Sequence, residues 1–140
     1  MTTTPVIVAA AVIERDGHFF MTRRLKGTHL AGMWEFPGGK CGDDESLVSS
    51  LERELTEELG TRSVVGEEIF TVEHVYPERT VRLHFFSTTL LDEPQALLGQ
   101  EMRWVSREEL RTLQLPEADR GLVELLRNRS SASPPSAGSE

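Results

Sequence analysis

The stretch that most constrains what this chain can fold into is Val6–Ile13, eight consecutive apolar residues rich in β-branched side chains. Such a run reads as a β-strand buried on both faces, so other elements must cover it from either side. It is far shorter than the roughly 20 residues that span a bilayer. Met1–Pro5 ahead of it carries no basic side chain and does not begin like a secretory signal. No membrane segment and a cytoplasmic location are therefore expected. The 140 residues fit one domain, and 38% hydrophobic against 27% charged residues describes a globular chain. A formal net charge of -8 argues against a surface that neutralises many phosphates, so long DNA or RNA is not an expected partner. A small polyphosphate stays open, because divalent cations between acidic side chains and phosphate oxygens reverse the local sign. The single cysteine, Cys41, has no disulfide partner and reads as incidental.

Asp16-Gly17 marks a tight turn after the first strand, His18–Thr22 resumes as a second, and Gly27–Gly32 reads as a loop. A strand pair is expected over Glu68–Val75 and Thr80–Leu90, where Val81, Leu83 and Phe85 alternate with Arg82 and His84 and Pro77-Glu78 supplies the turn. Met102–Val105 follows as a short strand, with Ser106 and Glu109 at capping-box spacing behind it. Leu47, Val48, Leu51, Leu55 and Leu59 form one helical stripe closed by Gly60. A last helix is expected over about Ala118–Asn128. Residues 130–140, rich in Ser, Pro, Ala and Gly, have nothing to bury and read as a disordered tail, leaving 1–129 as the domain.

The chemistry concentrates between Gly39 and Gly60. Glu54, Glu57 and Glu58 stand at i, i+3 and i+4, so their carboxylates gather on one helical face beside the leucine stripe. Carboxylates that close repel each other, and near a pocket they invite hard cations. Arg53, four residues before Glu57, is placed to hold a carboxylate, and Gly38 and Gly39 allow a close backbone approach. The plain alternative is a solvated acidic face.

Spacing decides against that alternative. Gly39, five residues, Glu45, seven residues, Arg53-Glu54, an aliphatic, one residue, Glu57-Glu58, one residue and Gly60 resemble the signature of the Nudix hydrolases, departing only at Thr61, where an aliphatic is usual. Trp34–Lys40, Thr22–Arg24, Pro77–Arg79, Trp104-Val105 and Leu115–Asp119 extend the likeness to MutT-type members over roughly residues 5 to 128. The resemblance implies an α/β fold, the α/β/α sandwich with a mixed sheet between helices, which agrees with the element order. It implies hydrolysis of nucleoside triphosphates to monophosphate and pyrophosphate by water, with magnesium, or manganese in its place, held by Glu54, Glu57, Glu58 and the Gly38 carbonyl. Arg53 would orient a glutamate, and Gly39 and Glu45 would support the box. Arg24 and Arg79 are substrate-contact candidates. An extra glutamate usual in such enzymes falls at Leu98 here, and Glu101 is the candidate to replace it as ligand or base.

For the nucleobase the resemblance points to Phe36, Tyr76, His29 and Asp119. An ionised aspartate only accepts hydrogen bonds, which suits the cytosine amino group. Protonated by burial it would also suit oxidised guanine, whereas its plain role is an N-cap for the last helix. Oxidised dGTP is placed first and a cytidine triphosphate second. The rivals are a dinucleoside or sugar diphosphate as substrate, or a catalytically inactive nucleotide-sensing module. A monomer is expected, with a dimer as the alternative.

Overall fold

A computed structural model describes residues 4–28 and 30–129. The tail expected over 130–140 and the pocket candidate His29 lie outside the described residues. In chain order the elements are β1 (Val6–Val12), β2 (Glu14–Arg15), β3 (His18–Arg23), β4 (Trp34–Glu35), β5 (Gly38–Lys40), α1 (Leu47–Leu59), β6 (Ser63–Val75), β7 (Thr80–Leu90), β8 (Met102–Ser106), α2 (Arg107–Leu110), a 3-10 turn (Glu117–Asp119) and α3 (Arg120–Asn128).

The apolar run is central because of where β1 sits. One sheet has the order β5-β1-β7-β6; β1 is parallel to β7, from Val6↔Val81 to Val12↔Ser87, and antiparallel to β5, which makes the sheet mixed. Successive side chains point to opposite faces. Ala9, Ala11 and Ile13 pack with Phe86, Leu90 and the α1 leucines Leu51, Leu55 and Leu59, while Ala10, Val12 and Phe85 pack with Leu122, Val123 and Leu126 of α3. A helix on each face makes the expected α/β/α sandwich. In a second, smaller sheet β3 pairs with β8, β2 and β4, and it contributes Phe19 and Met21 to one core and Phe20 to the other.

Several local readings hold for the reasons given. Asp16 and Gly17 both have positive φ, 52° and 77°, as a tight hairpin turn demands. Gly60 closes α1 at φ 67° and donates its amide to the Thr56 carbonyl. Thr61 is buried, and its hydroxyl donates to the Arg62 carbonyl, so the polar atom costs little where an aliphatic is usual. Other readings need correction. β6 begins at Ser63 rather than Glu68, because register shifts between Val65 and Glu68 and between Glu68 and Phe70 break the period of two that marks a strand in sequence. The last helix starts at Arg120 rather than Ala118, after the 3-10 turn. The Ser106–Glu109 capping box forms, but the helix it caps has only 4 residues. Among the described residues no helix is long and apolar enough to cross a membrane.

Candidate active site

Helix α1 is capped by Ser46, whose side chain accepts from the Ser49 amide, and docks its leucine stripe on the sheet. This docking brings Glu54 against β5. A Cβ on Gly39 would overlap the Glu54 carboxyl group, and one on Gly38 would overlap the Ala9 carbonyl oxygen and lie 2.7 Å from Ala10 Cα. Both glycines are thus demanded by close approach, Gly38 to its neighbouring strand and Gly39 to the glutamate.

Arg53 is the hub of the box. Its Nε and Nη2 donate to the two oxygens of Glu45 at 2.5 and 2.9 Å, and its Nη1 donates to Glu54 at 3.3 Å and to Glu57 at 3.1 Å. Arg53 Nη2 also reaches the Lys40 carbonyl at 3.3 Å. Hydrogen bonds from Arg53, then from the Gly42 amide, hold the Glu45 carboxyl down at about 2. Glu45 therefore anchors the arginine, and the arginine sets two of the three helical glutamates. These glutamates are not equivalent. Glu54 is 15% exposed, whereas Glu57, turned toward Arg53, is 57% exposed. Burial first, and then the Glu54 carboxyl beside it, push Glu58 up to about 9.

A cleft of about 620 Å³ opens over the α3 face of the sheet. Val8, Val81 and Leu83 contribute apolar lining, and Glu54, Glu58, Gly38 and Gly39 share the cleft with Arg24, Phe36, Tyr76, Arg79 and Asp119. Arg53, Glu45 and Glu57 stand behind this lining rather than in it. Glu101 is not brought in either: its carboxylate pairs with Arg23 at 2.7 Å and is 64% exposed, while Leu98 lines the cleft. Asp119 does not cap α3. It adopts helical dihedrals, makes no capping hydrogen bond and is 3% exposed. Burial, aided by the charge of Glu35, lifts its carboxyl to about 7.

Glu35, Lys40 and Gln100 also line the cleft, and the sequence reading gave them no role. Burial raises Glu35 despite the Arg24 guanidinium 2.8 Å away, and its charge acts on both Glu58 and Asp119. Glu35 follows Trp34 on β4, inside the segment already singled out, so its position was visible. Gln100 had no sequence signal.

Residues 8–125 match the NUDIX domain family. The chain belongs to the Nudix hydrolases. The hydrolase is 40% identical over 123 residues to a CTP pyrophosphohydrolase of Escherichia coli K12, covering 84% of this chain and 87% of that one. It is 34% identical over 125 residues to an 8-oxo-dGTP diphosphatase of Haemophilus influenzae, covering 88% and 92%. The crystal structure of a MutT protein from Methanosarcina mazei Go1 superposes with a TM-score of 0.81 at 30% identity, covering 90% of this chain and 96% of that one.

The donor set of the Nudix hydrolase suits a hard divalent cation. Among the described residues no group of three or more His, Cys, Asp or Glu side chains is already placed to hold a metal ion. What is present is a pair of crowded cleft carboxyls with Glu57 held beside them. Burial and the neighbouring Glu54 carboxyl both disfavour the charged form of Glu58, and a doubly positive ion among oxygen ligands would offset that repulsion.

Proposed function

We propose that this hydrolase is a magnesium-dependent nucleoside triphosphate pyrophosphohydrolase, releasing monophosphate and pyrophosphate, with manganese able to replace magnesium. The observation that carries the reading is one cleft holding both the α1 carboxyls of Glu54 and Glu58 and the aromatic rings of Phe36 and Tyr76 with the Asp119 carboxyl beside them. Its volume is that of an ordinary small-ligand pocket. Glu54, Glu57, Glu58 and the Gly38 carbonyl would hold the cation, which when bound lowers the pKa of a water and takes up charge on the leaving pyrophosphate. Arg53 fixes Glu54 and Glu57 against the approach of phosphate, and Glu45 fixes Arg53. Water attacks phosphorus as the bond to the leaving oxygen breaks, and its proton passes to an α1 carboxylate, since position 98 is leucine and Glu101 is engaged by Arg23. Arg24 and Arg79 serve the phosphates.

The base would lie among the apolar groups with its edge toward Asp119. Oxidised guanine places N7-H beside O6, and cytosine places its amino group beside N3, so both offer a donor next to an acceptor. A protonated carboxyl complements both halves of that edge, whereas an ionised one complements only the donor. Oxidised dGTP is the first reading, and cytidine triphosphate the second, favoured by the 40% identical relative named for CTP. The test is product analysis across a nucleotide panel with magnesium, in water labelled with heavy oxygen. Monophosphate and pyrophosphate are expected. Orthophosphate with a nucleoside diphosphate, or preference for a dinucleoside or sugar diphosphate, would overturn the reading, and nucleotide binding without turnover would mark a sensing module.

A further inference from the structure

We infer that Gln100 is a positioning residue that sets the cation-binding end of α1 through the backbone of Glu58. A helix leaves its last four carbonyls without partners inside the helix. In α1 the Thr56 carbonyl is met by the Gly60 amide, and those of Glu58 and Leu59 are met from another part of the chain. The Leu59 carbonyl accepts from the Gln95 amide at 2.8 Å, and the Glu58 carbonyl accepts both from the Leu97 amide at 3.2 Å and from Gln100 Nε2 at 3.1 Å. The other end of the same side-chain amide, Oε1, accepts from the Leu98 amide at 2.9 Å. Gln100 is 7% exposed, so both polar ends of a buried amide are spent on backbone groups, one in α1 and one in the loop before β8.

The consequence is geometric. The residue whose carbonyl is held carries a cleft carboxyl, and the residue whose amide is held forms the cleft wall at Leu98. Gln100 therefore couples the last turn of α1 to that wall. Gly99, at φ 77°, lets the loop turn between them. Leu97 packs on the helix end, and a Cβ on Gly60 would meet Leu97 Cδ1 at 3.3 Å, so the loop is seated there by packing as well as by hydrogen bonds. Losing Gln100 should consequently leave the fold in place while loosening one ligand.

This inference rests on the proposed cation site, and the experiment separates the two. Gln100→Met keeps length and burial but removes both hydrogen bonds; Gln100→Glu keeps the acceptor and replaces the donor by an oxygen facing the Glu58 carbonyl. Manganese binding to the folded protein, followed by electron paramagnetic resonance without nucleotide, should weaken on the order of 10-fold in both variants, as loss of partners that orient ligands does. Turnover at limiting magnesium should fall in proportion and recover at high magnesium, with the nucleotide KM within about twofold of the parent. Parent-like manganese binding in both folded variants overturns the role of Gln100. If Glu57→Gln also binds manganese like the parent, the cation site itself fails. Should Gln100→Glu misfold, Gln100→Met alone decides by the same readouts.

Discussion

At the scale of single residues, Asp119 and Glu57 carry the sharpest expectations. A carboxyl lifted to about 7 is protonated below that pH and ionised above it. Efficiency toward oxidised dGTP, which needs a donor for O6, should decline as pH rises through 7, and Asp119→Asn should flatten that profile. Its effect on the ratio of efficiencies for oxidised dGTP and CTP should be about 1 to 3 kcal/mol, the worth of one well-placed contact to a base edge. The same shift bears on stability. Because the folded state binds this proton more tightly than the unfolded chain does, the group lowers stability progressively as pH rises from its unfolded value toward 7, and the cost is constant above that. Asp119→Asn should accordingly raise the melting temperature at pH 8 and change it little at pH 4. Glu57→Gln removes one charged ligand of the proposed cation site and one Arg53 contact, and turnover should fall about 100-fold or more with the fold intact. Undiminished turnover in saturating magnesium would remove Glu57 from the site.

At the scale of elements, the two box glycines should part company. In Gly38→Ala the new methyl meets backbone of β1, which cannot retreat, so unfolding by denaturant should show a large loss of stability. In Gly39→Ala the nearest atoms the methyl meets are those at the end of the Glu54 side chain. That carboxyl can swing aside, so stability should change little while activity falls on the order of 10- to 100-fold. Equal destabilisation by the two would contradict the distinction. Leu55 tests the docking of α1 itself: it is fully buried against the sheet, and Leu55→Ala should cost about 2 to 5 kcal/mol in equilibrium unfolding.

At the scale of the whole molecule, the proposed function requires a chain with a formal net charge of -8 to take a polyanion into a cleft that itself contains Glu35, Glu54, Glu58 and Asp119. Arg24 and Arg79 line that cleft, but Arg24 is already paired with Glu35. Chelation of divalent metal should therefore weaken nucleotide binding as well as stop turnover, and equilibrium binding with and without magnesium measures this directly. Binding that is indifferent to the chelator would mean that the cleft's own cations suffice.

Much of this could be read from the residues alone because the signals are local. The apolar run gave β1, the leucine stripe and Gly60 gave α1, and the fixed spacing from Gly39 to Gly60 gave the box and its family; each depends only on the pleat of a strand or the turn of a helix. Where neighbours in space replace neighbours in sequence, those signals fall silent. The bulges that start β6 at Ser63 are set by pairing with β7. That Glu54 and Glu58 enter the cleft while Glu57 turns to Arg53 depends on the seating of α1 beside β5. Glu101 is drawn to Arg23, which lies 78 residues earlier in the chain. Gln100 acquires its place only because the loop before β8 closes on the end of α1, 42 residues away. Asp119 could have been a helix cap as far as its sequence showed. Only the packing that buries it beside Glu35 makes it a carboxyl that titrates near neutrality, because desolvation is a property of the folded surroundings and not of the residue.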